Sequence, residues 1–514
     1  MRKFIQKYFT LLLAINFIFV FNISFSNNNN NNNNNNNVIT VAQGSKPKSL
    51  DPHTFNEFPT LGITEHIFNT LVTLDDKGTP IPELAESFVY LSPTEILFTI
   101  RKKIKFHNGD ILTTDDVIFS LERMMEKPGS RVILKDIKSV AKTSDDKVLI
   151  TLHEPSAPFL ANLTLPIAAI MNKNYVMAGN NVALNPIGTG PYMVTNWGDG
   201  DKIVMSSFKD YFKGAPKNNG LVFKIITENT SRLAALETGE VDIIYAISPI
   251  DFQIVEKNPN LNLLHKTTTT TELMVLNVQK DGLDNKNIRK AIHMAIDKAG
   301  ILEAIFLNRG SIATSPINPN IFGSYQNLKP IDNDIKKAKE IVANETKEKK
   351  LPIFKIWTSE NIVRVQIAQI IQANLKEIGI ESNIEIVEWG TFLKKTSEGA
   401  HDILLTTWIL GVSDIDTVVT TLFHSNSIGA EGNRSFYSNP ILDKEIDLAR
   451  TTTDIEKRKI YYKNVQEIIL DENPIVPLVY KIDGIGISNK IHNFQYNKAS
   501  MRNYYEDMKK VDVK

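Results

Sequence analysis

Short apolar runs bounded by turn residues alternate with stretches whose apolar positions recur every three or four residues. The chain therefore reads as interleaved strands and helices. Val38–Gln43 predicts a strand ending at Gly44. Leu50-Asp51-Pro52 then interrupts regular structure, because the proline ring fixes its own φ and restricts the residue before it. Glu95–Lys102 predicts a strand and Phe106-His107-Asn108-Gly109-Asp110 a turn. Thr113 and Thr114, followed by Asp115 and Asp116, open a helix through Val117–Met125. Hydroxyl and carboxylate oxygens there satisfy free backbone N–H groups, and negative charge suits the helix N-terminus.

Two strand–helix–strand units follow. In the first, Leu221–Ile226 is a strand, Thr230 caps a helix over Ser231–Thr238 that stops at Gly239, and Val241–Ala246 is the next strand. In the second, Leu351–Thr358 is a strand, Ile362–Ile378 a helix ended by Gly379, and Asn383–Trp389 a strand. Ala368, Ile371, Leu375 and Ile378 form that helix's buried stripe. Asp402–Trp408 is a further apolar strand. Units of this kind imply parallel pairing. The two α/β regions meet near Thr267–Thr271, whose threonines favour strand over linker. No short-period repeat and no long linker separates them. Two α/β lobes joined by strands predict a hinge and a cleft, where small ligands bind.

The N-terminal pattern differs. Arg2, Lys3 and Lys7 precede an apolar run from Phe9 to Phe21, then Ser24-Phe25-Ser26. This is the order of a secretory signal, with cleavage expected after Ser26, and the run is short for a permanent span. Asn27–Asn37 is an unbroken asparagine run with no apolar face, expected to be a disordered spacer. Loss of this leader removes basic residues and no acidic ones, leaving a mildly acidic chain.

Composition excludes several classes. The 514 residues hold 58 basic and 58 acidic side chains, which argues against a nucleic-acid binder. There is no cysteine, hence no disulfide, thiolate site or cysteine-linked lipid anchor. The nine histidines are scattered, with no His-x-x-x-His pair. No Gly-Lys dipeptide exists to build a P-loop, and no Gly-x-Ser-x-Gly elbow occurs. In Gly188-Thr189-Gly190-Pro191-Tyr192 the proline removes an N–H where a phosphate would need one. A carboxylate pair for glycoside cleavage stays open, though nothing marks one.

Two residues carry alternative readings. Arg364 falls on the apolar stripe of Ile362–Ile378 near its N-terminus, against the helix dipole. Either its stem covers apolar surface with the head in water, or its fork faces the cleft for a carboxylate. Trp408 ends a strand and leads into Ile409-Leu410-Gly411-Val412-Ser413-Asp414-Ile415-Asp416. It is either core packing or the start of a ligand loop.

Several segments, in order, resemble the family 5 extracellular solute-binding proteins, the dipeptide, oligopeptide and nickel-complex receptors of ABC importers. They are Ser49-Leu50-Asp51-Pro52-His53; Pro82–Ser87 through Phe98–Lys102 to Ile104–Asp110 and Asp116–Ser120; Asn185–Tyr192; Ser231–Asp242; and Ile288–Lys298. The resemblance implies a two-lobed, type II-like periplasmic-binding-protein clam with an additional third domain. Lobe I would be discontinuous, residues 38–58, 184–266 and 478–514. Residues 59–183 would be the extra domain and 267–477 lobe II, with hinge strands near Thr267–Glu272 and Ile475–Tyr480. Relatives hold a peptide's α-amine with an aspartate shortly after a tryptophan. Trp408 matches the tryptophan, while the aspartate falls on Gly411. Asp414 and Asp416 match the later acidic pair, and Ile415 replaces the usual proline. The amine anchor is therefore displaced to Asp414 or absent; the expectation tested below is Asp414 for the amine and Arg364 for the carboxylate.

The resulting expectation is a free periplasmic receptor, monomeric, that takes up short peptides and delivers them to a membrane permease with its ATPase. No cofactor, metal, catalysis or nucleic acid is expected. The alternatives are the same architecture holding a metal chelate or glutathione-like compound, a receptor feeding a sensor, and an exported hydrolase.

Overall fold

The computed structural model describes residues 37–54, 58–76, 78–127, 136–197, 200–408, 414–496 and 503–511. The expected signal segment, nearly all of the asparagine run, and Gly411 lie outside them.

Eleven strands form one mixed sheet. In its first half, Val38–Gln43 lies between Gly220–Ile225 and Ile243–Ile247 and pairs parallel with both. The predicted strand–helix–strand unit is thus present, with the N-terminal strand between its two strands. Its helix spans Asn229–Glu237 and is preceded by Glu228, which makes no side-chain cap bond. Thr230 is therefore inside the helix rather than its cap. Arg232 reaches back to the carbonyl oxygens of Ile226 and Thr227, both at 2.8 Å, and to the Asn229 side chain. These bonds fix the turn ahead of Thr230.

In the second half, Phe354–Ser359 pairs parallel with Ser382–Val387 and with Ile403–Trp408. Two long antiparallel strands, Leu261–Leu276 and Ile475–Ser488, join the halves. Their register slips between Thr267 and Thr271 and again between Glu272 and Leu273. A slip of this kind bends a strand and sharpens its twist, so the threonine run is a bent strand.

Separate cores pack along this sheet. Lobe I buries Ile39, Val41, Leu221, Phe223, Ile243 and Ile485 against one another. Lobe II has a core on each face. One joins Met274, Ile356 and Leu405 to the helix Ile362–Glu377 through Ile367, Ala368, Ile371 and Leu375, with Ile378 just beyond, so the predicted stripe is buried. The other joins Leu273, Val275 and Leu404 to the helix Ile415–Phe423. A further core lies between the four-stranded sheet of Ala85–Ser92, Glu95–Ile100, Lys147–Leu152 and Ile137–Ser144 and the helix Thr114–Glu126. This inserted domain has its core between Leu71 and Ile170. Ile63, Ile67, Phe68, Met171 and Val182 pack with lobe I instead, so the ends of the expected 59–183 segment belong physically to lobe I.

Many of the residues carrying the family resemblance brace these cores. Asp51 takes both arms of Arg123, at 3.0 and 2.5 Å, tying the helix Thr114–Glu126 to lobe I. His53 lies 2.9 Å from the same guanidinium and 2.8 Å from the Ala169 carbonyl oxygen. Burial and that cation push its pKa down to about 4, so it works as a neutral spacer. A Cβ on Gly188 or Gly190 would collide with the backbone at Ile67, which accounts for both glycines by close packing.

Candidate functional site

The strands Phe354–Ser359 and Ile403–Trp408 are parallel neighbours, and the chain leaves their C-terminal ends toward opposite faces of the sheet. After Ser359 it enters the helix Ile362–Glu377 on one face; after Trp408 it leads to the helix Ile415–Phe423 on the other. Such a junction is where ligands sit in open α/β sheets. Arg364, Trp408, Asp414 and Asp416 all lie at or just beyond these strand ends.

Arg364 stands in the first turn of its helix, whose cap is Asn361. Its guanidinium donates to the Thr407 hydroxyl (2.8 Å from Nη2, 3.3 Å from Nε) and to the Ser359 hydroxyl (3.2 Å). It lies 3.7 Å from the Glu272 carboxylate. Glu272 is almost wholly buried, accepts from Thr407 at 2.8 Å and faces the Lys481 ammonium at 3.5 Å. The head of Arg364 is thus held by hydroxyls and one carboxylate at the lobe II end of the long strands. Two of the five N–H bonds of its fork have no partner among the described residues.

Trp408 packs against the lobe II core and pairs with Thr271. Its indole N–H is buried without an acceptor among the described residues. The ring packs as a core residue, and its one polar atom has no acceptor among the described residues.

The acids after it are both held in ion pairs. Asp414 caps the helix Ile415–Phe423, accepting from the Asp416 N–H at 2.9 Å. Both its oxygens also take the Arg458 fork, at 2.7 and 2.8 Å, in a buried pair. Burial works against the Arg458 charge, but Asp414 outweighs it and holds the arginine above its ordinary pKa. A carboxylate neutralised this way has little field left for a ligand ammonium. Asp416 pairs with Arg450 at 3.0 Å and is buried, with no partner for its other oxygen among the described residues. Burial pushes its pKa up to about 6 despite Arg450. Arg450 also grips Asp136 of the inserted domain, 3.0 Å to each oxygen. Asp416 thus serves a junction between domains.

The sequence reading did not single out Glu272, Lys481 or Asp483. One signal was available: Lys481 and Asp483 put charges at alternate positions of a strand that is otherwise apolar. Charges on one face of a central strand need a reason, and a polar cleft supplies it. No group of three or more His, Asp or Glu among the described residues is arranged to hold a metal. No described helix is long and apolar enough to cross a membrane.

This architecture has clear counterparts. Residues 79–430 match the family described as bacterial extracellular solute-binding proteins, family 5. The chain is 29% identical to the probable di/tripeptide-binding protein 5 of Pseudomonas aeruginosa over 510 residues, covering 93% of this chain and 95% of that one. It is 28% identical to the dipeptide-binding protein of Escherichia coli, covering 86% and 89%. The solved structure of the periplasmic binding protein DppA from Helicobacter pylori, in complex with the peptide STSA, superposes with a TM-score of 0.80 at 27% identity. That match covers 92% of this chain and 98% of that chain. Members of this family bind solutes and are not enzymes. With its two-lobed α/β fold, inserted domain and strand-end junction, the chain belongs to the family 5 bacterial extracellular solute-binding proteins.

Proposed function

We propose that the protein is the soluble receptor of an ABC importer, free in the periplasm after loss of its leader. It closes on a short peptide and presents it to the permease. The observation that carries this reading is the Arg364 fork, oriented by Thr407 and Ser359 with two N–H bonds to spare. Its planar geometry matches a carboxylate such as a peptide's C-terminus. The relatives whose names specify di- and tripeptides support the ligand class. Binding between the lobes favours the closed state through contacts from both sides.

A matching peptide at 100 times its Kd is expected to stabilise the protein by about 2.7 kcal/mol, read as a rise in melting temperature. Di-, tri- and longer peptides are screened beside nickel–histidine complexes and glutathione. A shift with a chelate or glutathione and none with any peptide would move the assignment to those ligands.

Arg364→Gln tests the fork itself. Free-acid peptides are expected to bind about 10- to 100-fold more weakly, a charged hydrogen bond being worth ~1.5–3 kcal/mol. Peptides amidated at the C-terminus are expected to bind variant and wild type alike. Equal losses for both series would show that Arg364 acts on the fold and not on the carboxylate.

A further inference from the structure

With Asp414 committed to Arg458, a different acid is the candidate to meet a ligand's ammonium. Asp483 lies in the middle of Ile475–Ser488, where the long strands pass from one lobe to the other. Its side chain makes no hydrogen bond and no close ion pair with any described residue, and Lys481 and Lys266 act on it only at longer range. Lys266 is its direct cross-strand partner, yet that ammonium sits over the Tyr496 ring, 5.0 Å from its centre. Burial raises the Asp483 pKa, and the two lysines offset this only in part. A half-buried carboxylate beside two lysines, with no side-chain partner among the described residues, is available to a ligand.

Its place fits a ligand. Side chains two apart on a strand share a face, so Asp483 stands on the face of Lys481. Lys481 faces Glu272, which faces Arg364. The face therefore ends in two cations at lobe II and an unpaired acid toward lobe I. Lys481 and Asp483 are separated by about 7 Å along the strand. The ends of an extended dipeptide are about 7 Å apart.

We propose that Asp483 is the residue that receives the ammonium of a short zwitterionic peptide, while Arg364, beside Lys481, takes its carboxylate. This rests on the peptide reading above and deepens it. The cleft then selects ligands that carry both a free amine and a free acid.

Calorimetric titration of wild type and Asp483→Asn with di- and tripeptides, each with a free and an acetylated amine, tests the proposal. Free-amine peptides are expected to bind Asp483→Asn at least about tenfold more weakly. Acetylation is expected to cost wild type the same factor and to cost the variant almost nothing, because both changes remove one interaction. The unliganded variant is expected to melt no lower than wild type, since it loses a half-buried charge that has no partner among the described residues. A merely structural aspartate predicts the reverse, a lower melting temperature. Asp483→Glu, which keeps the charge, is expected to retain the preference for free amines. Equal acetylation penalties in wild type and Asp483→Asn, with peptides still bound, overturn the anchor and leave the peptide reading standing. No binding of any peptide to wild type overturns both.

Discussion

Arg450→Leu is expected to destabilise the protein by about 3–5 kcal/mol at neutral pH, the usual loss when one partner of a buried ion pair is removed. Arg450 is on the helix Pro440–Thr451 and is only 13% exposed, between Asp416 at 3% and Asp136 at 7%. Its backbone carbonyl accepts from the Ala157 N–H at 2.8 Å, and the Ser156 hydroxyl donates to Asp136 at 2.6 Å. The cluster therefore ties lobe II to the inserted domain. Without the guanidinium two buried carboxylates face each other unpaired, and Asp414 adds a third negative charge, held by Arg458. The pH dependence follows with a definite sign. Asp416 already has its pKa raised to about 6 from an ordinary 3.8. Between those values the folded state binds more protons than the unfolded state, so this group's contribution to stability falls as pH rises through the window. Removing Arg450 raises that folded pKa further, so the deficit of the variant is expected to shrink between pH 7 and pH 5. Denaturant unfolding at both pH values, with Asp136→Asn and the double variant completing a cycle, measures it. A loss independent of pH, or additive single effects, would show that the three side chains do not act as one cluster.

The difference between what the sequence disclosed and what it hid follows from the kind of interaction concerned. The helix Ile362–Glu377 and its stripe were legible because a 3.6-residue period records burial locally. The threonine run was legible as strand because β-branched residues favour that conformation, although its register slip was not, since slips depend on the partner strand. The N-terminal strand pairs with both strands of the first α/β unit across about 180 residues or more, and no local pattern announces such a pairing. The site divides the same way. Arg364 stood out because a cation near a helix N-terminus needs a reason. Asp414 stood out by its place after Trp408, but its partner Arg458 lies 44 residues on, in the helix Ile455–Glu472. A carboxylate's function is set by which cation reaches it first, and the sequence around Asp414 contains no trace of that competition. Asp483 shows the converse: its lack of a partner becomes visible only when Lys266, directly opposite, is seen to turn toward Tyr496.

Asp414→Asn provides the sharpest separation of the two roles that residue could have had. Arg458 is 6% exposed and is held by both oxygens of Asp414, by the Tyr462 hydroxyl at 2.7 Å and by the Ala449 carbonyl at 3.1 Å. Its guanidinium also lies 5.6 Å from the Phe322 ring and 4.9 Å from the Tyr462 ring. Removing the carboxylate charge strands a buried cation, with a loss of about 3–5 kcal/mol expected in the absence of any ligand. The asparagine keeps an oxygen able to cap the helix Ile415–Phe423, so the loss belongs to the ion pair and not to the cap. Free-amine and acetylated peptides are expected to suffer the same change in affinity, because the residue holds Arg458 without touching the ammonium. Replacing Arg458 as well, in Asp414→Asn with Arg458→Met, is expected to recover much of the stability. An apolar side chain of similar length fills the space beside Tyr462 without leaving a charge unpaired. Denaturant unfolding of the single and double variants, beside titrations with both peptide series, decides the matter. A single variant as stable as wild type whose affinity falls only for free-amine peptides would return the ammonium to Asp414 and take it from Asp483.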